Sequence, residues 1–228
     1  MGWKFTAAVA SCALLCLFAG PGSAAASPKG PLVVIDPGHG GVDPGAVDKV
    51  GGVLEKTVNI EVSRRLARIL ESQGFRVRMT RQDDGPWPHP SGRGCFQGLI
   101  GLDERVALAN RLKADLFVSV HANGFWDRRC AGVEVFYCPG SAEGRRLAGL
   151  FHKAVTADRP SPSCKVRPCG YLVLRGTTMP AVVVEMGYIS NPREARLLTR
   201  PAYQERLAQA FARAVSSYFA DAGLSRRP

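Results

Sequence analysis

The ten residues Leu32–Gly41 read LVVIDPGHGG, and the placement of this stretch decides the architecture. Leu32–Ile35 is apolar and mostly β-branched without any polar alternation, the pattern of a strand covered on both faces, as in parallel sheets lined by helices. Pro37-Gly38 and Gly40-Gly41 then let the backbone turn sharply and carry His39 off the strand end. The same arrangement recurs along the chain. His121 ends DLFVSVHAN, Glu185 ends AVVVEMGYISN, and Glu55 opens the helical stretch EKTVNIEVSRRLARIL. In a parallel sheet the C-terminal strand ends share one edge, where α/β proteins hold their ligands.

Between these points strand and helix alternate. Val58, Val62, Leu66, Ile69 and Leu70 recur at helical spacing within 55–73, and Gly74 closes that run. Strands are predicted at 32–36, 75–80, 116–120, 133–137, 171–174 and 181–184. Further helices are predicted at 103–113, at 141–157 behind a Ser141 cap, and at 202–219. This is an α/β fold: a single domain with a twisted, mostly parallel sheet of about six strands, flanked by helices on both faces. Two stretches interrupt the rhythm. Residues 84–101 are rich in proline and glycine and too long for a mere connector, and 158–170 reads as a Pro- and Cys-rich loop.

The amino terminus reads as a signal peptide. Lys4 precedes an apolar stretch, Gly20-Pro21-Gly22 breaks it, and Ala24-Ala25-Ala26 offers a small-residue cleavage site. Removal of 1–26 leaves 27–228 as one catalytic-sized domain with no transmembrane segment. Cys16 invites a lipoprotein reading, but Leu14-Leu15 stand where small residues would be expected. The net charge of +11 falls by one when Lys4 is removed. Such a balance suits an anionic partner, and for an exported chain an acid-rich cell envelope is favoured over nucleic acid. A solvated Arg-rich surface explains the charge equally well. Cys95, Cys130, Cys138, Cys164 and Cys169 remain after cleavage, an odd set that allows at most two bridges. Cys130 and Cys138 flank the strand-like AGVEVFY, which if straight holds them beyond disulfide reach, whereas Cys164 and Cys169 enclose a proline loop that could close on itself.

Each candidate site residue carries two readings. His39 is a ligand or a turn residue, and Asp36 either holds its second ring nitrogen or caps the turn. His121 is a ligand or a hydrogen-bonded core histidine, and Asn123 binds substrate amides or shapes the turn. Glu55 is a ligand or a helix-dipole partner worth roughly 0.3–1 kcal/mol. Glu185, ending Val182-Val183-Val184, is a desolvated proton-transfer group or the partner of Arg175 in a salt bridge. Two imidazoles and a carboxylate at one sheet edge, with a second carboxylate to spare, suit a catalytic zinc that keeps a position open for water.

Five segments strengthen the functional side of each pair. VVIDPGHGG, GGVLEKTVNIEVSRRL, MTRQDD, RVALANRLKADLFVSVHAN and MPAVVVEMGYISNPREARLL occur in this order from Val33 to Leu198. The chain resembles the zinc-dependent N-acetylmuramoyl-L-alanine amidases, secreted cell-wall enzymes, over about Leu32 to Phe219. The resemblance implies one Zn²⁺ per chain held by His39, Glu55 and His121, with Glu185 as the catalytic glutamate that does not hold the metal. It also implies peptidoglycan as substrate, cut at the amide joining N-acetylmuramic acid to the L-alanine of the stem peptide. A periplasmic or extracellular monomer follows, with an envelope activator or targeting protein as partner and no nucleic acid. No helix of the kind that blocks the site in some regulated relatives is evident between Asn123 and Glu185, so the site is expected not to be shut by its own chain.

Two rivals remain. A zinc exopeptidase commonly places Glu three residues after its first His, where this chain has Val42. A wall-binding protein without catalysis would not need all four site residues. His89, between Pro88 and Pro90, and His152, on a helix, are not expected to be ligands.

Overall fold

The computed structural model describes residues 1–2, 30–84, 87–88, 95–96, 101–157 and 164–221. The stretch 3–26 expected to be a signal peptide, His89, and most of the 84–101 segment therefore lie outside the described residues.

In chain order the elements are β1 (Leu32–Pro37), β2 (Val47–Asp48), β3 (Val53–Leu54), α1 (Glu55–Ser72) and β4 (Arg76–Met79). They continue with β5 (Trp87–Pro88), β6 (Cys95–Phe96), α2 (Leu102–Arg111), β7 (Leu116–Asn123) and β8 (Glu134–Tyr137). The last six are α3 (Ala142–Ala157), β9 (Lys165–Pro168), α4 (Leu172–Gly176), β10 (Ala181–Tyr188), α5 (Pro192–Leu198) and α6 (Pro201–Asp221).

Six strands form one sheet in the order β4-β1-β7-β10-β8-β9. Every pairing is parallel except β10 with β8. The chain leaves β1 through α1 to β4 on one side, then returns through α2 to β7 on the other. The boundary between β1 and β7 is thus a topological switch point, where an α/β sheet opens a crevice beyond its C-terminal strand ends. The register pairs Pro37 with Val120 and His121 with Glu185, so His39, His121 and Glu185 emerge from three neighbouring strands.

Both faces of the sheet are covered. One carries α1, α3 and α6, whose Val62, Leu66, Leu147, Phe151 and Phe211 bury fully against Val33, Ile35, Val118 and Val184. The other is thinner: Val34, Phe117 and Val183 pack against Ala109 of α2 and Val173 and Leu174 of α4.

Three readings need correction. Residues 171–174 are not a strand: Leu174 and Arg175 donate their N–H groups to the Tyr171 carbonyl, which opens α4. Four apolar residues are too few to separate the two periods, and a helical turn drives both Val173 and Leu174 into the thin core. Residues 165–168 are not loop but the edge strand β9, paired only with β8 and mostly exposed, which hid it from a pattern search. That strand also keeps the Cys164 and Cys169 ends apart, and both are free thiols rather than a closed ring. In addition α5, opened by the Asn191 side chain accepting from the Arg193 and Glu194 N–H groups, was not foreseen.

Candidate metal centre and active site

Glu55 is the hub of the site. It is buried at the start of α1, delivered there by the β2–β3 hairpin. Its Oε1 lies 3.1 Å from His39 Nε2 and 3.0 Å from His121 Nδ1. The Ala122 N–H and Asn59 Nδ2 also donate to Oε1, while the Ala46 N–H donates to Oε2 at 2.8 Å. The two imidazoles meet edge to face with centroids 4.9 Å apart. One donor atom from each of His39, Glu55 and His121 falls within 4.8 Å of the others, a set that could hold a metal ion.

The His39 loop is strained and heavily braced. His39 itself has φ 60°, a left-handed conformation that costs a residue with a Cβ roughly 1–2 kcal/mol. Arg105 donates to the carbonyls of Pro37 and His39, and Arg81 donates to those of Pro37 and Gly38. The His39 Nδ1 faces Asp43 Oδ2 at 2.7 Å, which leaves Nε2 aimed at the centre. Gly38 has to be glycine because a Cβ there would overlap the His121 ring.

Asp43, not Asp36, therefore orients His39. Asp36 is buried beneath the loop, where its carboxylate accepts from Arg105, Thr80 and Ser119. Burial acts to raise its pKa, but the Arg105 charge and these donors hold it below the ordinary carboxylate value. The bracing role of Arg81 and Arg105 was missed in the sequence. Both nevertheless sit in the quoted segments MTRQDD and RVALANRL, and a buried arginine signals a fixed local geometry.

Glu185 occupies the C-terminal part of β10 beside His121. Its Oε2 is buried with no hydrogen-bond partner among the described residues. Burial chiefly, with the Glu55 and Glu134 charges adding to it against the two histidines, pushes its pKa up to about 7. No ion pair joins Glu185 to Arg175 among the described residues. Asn123 donates Nδ2 to Glu134 Oε2, which also accepts from the Tyr188 hydroxyl. His39, His121 and Glu185 line a cleft of about 460 Å³, walled by Leu102 and Arg105 of α2 and by Tyr171 and Val173 at α4.

The family model for N-acetylmuramoyl-L-alanine amidases matches residues 33–217, nearly the whole described fold. The chain belongs to that family. The germination-specific N-acetylmuramoyl-L-alanine amidase of Bacillus subtilis is 33% identical over 197 residues, covering 86% of this amidase and 82% of that protein. AmiA of Escherichia coli is 30% identical, covering 82% of this chain and 76% of its own. Among solved structures, the amidase AmiC2 of Nostoc punctiforme superposes with a TM-score of 0.72 at 34% identity, covering 83% of this chain and 97% of that one. The CwlD amidase of Clostridioides difficile, in complex with the GerS lipoprotein, gives 0.72 at 28% identity over 84% of this chain and 99% of its own.

Proposed function

We propose that this amidase is a zinc enzyme that hydrolyses the amide between N-acetylmuramic acid and L-alanine in peptidoglycan. The observation that carries the proposal is the meeting of His39, Glu55 and His121 around one point, with the unpartnered Glu185 carboxylate beside them. The donor set fits the metal. Zinc takes imidazole and carboxylate ligands at about 2.0–2.2 Å, which for a tetrahedral ion sets donors roughly 3.4 Å apart. The 3.0 and 3.1 Å separations around Glu55 Oε1 are close to that spacing.

His39, Glu55 and His121 would hold the ion beside the cleft that His39 and His121 line. Zinc, when bound, supplies Lewis acidity: it brings a water's pKa to about 7 and polarises a carbonyl. Glu185 accepts the proton of the attacking water and then delivers it to the leaving alanine nitrogen. A pKa near 7 suits both halves of that exchange. Asp43 holds the His39 tautomer, while Arg81 and Arg105 keep the loop from shifting under load. Asn123 donates Nδ2 to Glu134, and its side-chain carbonyl would serve a substrate amide.

The same reading makes 1–26 a removed signal peptide and 27–228 the catalytic domain, exported to the periplasm or cell wall and acting as a monomer. No helix of the described residues is long and apolar enough to cross a membrane. An envelope protein as activator is in keeping with the CwlD–GerS pairing. The test is mass spectrometry of products from defined muropeptides, with and without a chelator. New L-alanine amino termini that vanish with the chelator are expected. Released terminal amino acids would point to an exopeptidase instead, and intact substrate to a wall-binding protein.

A further inference from the structure

Besides Cys95 of β6, four cysteines are described, and the sheet sorts them. Cys130 precedes β8 and Cys138 follows it, while Cys164 precedes β9 and Cys169 follows it. β8 and β9 run parallel with Tyr137 opposite Pro168, and the Cys169 N–H donates to the Tyr137 carbonyl at 2.9 Å. Extending that register by one residue sets Cys138 opposite Cys169.

Side-chain direction agrees. Tyr137 and Val166 pack on the thick-core face, Phe136 and Cys138 on the thin-core face. Strand alternation from Val166 turns Cys169 to the same face as Cys138. The segment beyond agrees: the ring of Tyr171, two residues after Cys169, meets Phe136 of the thin-core face with centroids 5.5 Å apart. Cys164 lies at the other end of β9 and packs on the opposite face, where burial pushes its thiol up to about 11.

We propose that Cys138 and Cys169 are a disulfide-forming pair that staples the C-terminal ends of β8 and β9 just ahead of the cleft-wall residue Tyr171. Neighbouring parallel strands lie about 4.8 Å apart, inside the 4.4–6.8 Å Cα range that a disulfide spans. Both groups are thiols in this structure, so the bond requires oxidation. One thiolate attacks a sulfur of an external disulfide and expels the first thiolate of that oxidant. The second cysteine, as thiolate, then attacks the mixed disulfide and expels the other. The two cysteines lose two electrons and two protons, and the oxidant leaves as two thiols. β9 is an edge strand paired on one side only, and Cys169 lies two residues before Tyr171 of the cleft wall. The staple therefore fixes that wall to the sheet.

The proposal uses the export reading only for the cellular oxidant, and a glutathione buffer tests it without that reading. The purified protein is equilibrated in excess glutathione disulfide, alkylated, digested with trypsin and chymotrypsin, and mapped by mass spectrometry. Cleavage at Tyr137 and Lys165 separates all four residues. The expected result is a Cys138–Cys169 cross-linked peptide, kept in Cys164→Ser and lost in Cys138→Ser. A Tm higher by about 5–10 °C in the oxidised than in the reduced protein should accompany it. Alkylation of both residues in the oxidised sample, pairing of either with Cys130 or Cys164, or an unmoved Tm would overturn the staple.

Discussion

The two faces of the sheet divide the work. Beneath α1, α3 and α6 lies a thick apolar layer in which Phe151 and Phe211 are fully buried, their rings 5.5 Å apart. Beneath α2 and α4 the apolar layer is thin, and buried charge takes its place: Asp36, Arg81 and Arg105 lie under the His39 loop, and the cleft opens beside them. One face holds the fold together by transfer from water, and the other spends folding free energy on a fixed geometry. Damage to the first should lower stability and spare chemistry, whereas damage to the second should do the reverse.

The largest effect belongs to the second face. Glu185→Gln should lower kcat by roughly 10²- to 10⁴-fold, read in a muropeptide turnover assay, because a positioned proton acceptor is removed. Folding should survive. In the metal-free protein this variant should even be the more stable one near neutrality. The folded pKa of Glu185 stands near 7, above the ordinary 4.5, so the native carboxyl holds its proton longer than the unfolded one. Wild-type stability therefore falls as pH rises from about 4.5 to 7, and the glutamine variant escapes that loss. Urea titrations of both proteins at pH 5 and pH 8 would show it.

On the first face, Phe211→Ala should cost about 3–5 kcal/mol and lower Tm by about 10 °C in a thermal melt. Below the melt, kcat should stay within a few fold. A large loss of kcat in the folded variant would break the division between faces.

Metal affinity should follow the proton on His39. Burial lowers its pKa, but the Glu55 hydrogen bond and charge, with Asp43 behind the ring, overcome that and raise it to about 9. The shift contributes stability that is full below pH 6.5 and fades as pH rises through 9. A zinc ion bound there would have to displace this proton, so affinity should climb with pH up to about 9, near tenfold per unit from this group. Calorimetry in buffers of different ionisation enthalpy should record the proton released by His39 at pH 7.

The smallest change is Gly38→Ala, a single methyl. The added carbon must push the His121 ring aside, and outer contacts of this kind typically cost 10–100-fold in metal affinity. Zinc titration would measure it, and Tm should move by only a few degrees.

Much of this was legible in the chain because long apolar runs announce buried strands. Leu32–Ile35, Leu116–Val120 and Ala181–Val184 were each placed in the sheet, and the polar residues after them point to a common edge. The site residues followed from that edge together with five ordered segments. What stayed hidden was short, exposed or relational. Residues 171–174 could be helix or strand at four residues, and β9 is an edge without a buried stripe. The partner of His39 was a choice between Asp36 and nothing, because the tight turn from Gly40 to Asp43 brings the later carboxylate back under the ring. Arg81 and Arg105 could not be assigned, since an arginine's burial depends on carbonyls far away in sequence.

Metal content and turnover measured together on the same samples test the account most directly. About one zinc per chain is expected for wild type and for Glu185→Gln, with hydrolysis lost only in the second. Both zinc and hydrolysis are expected to be lost in His121→Ala. Zinc at full occupancy in His121→Ala, or zinc lost from Glu185→Gln, would contradict the division of roles among these four side chains.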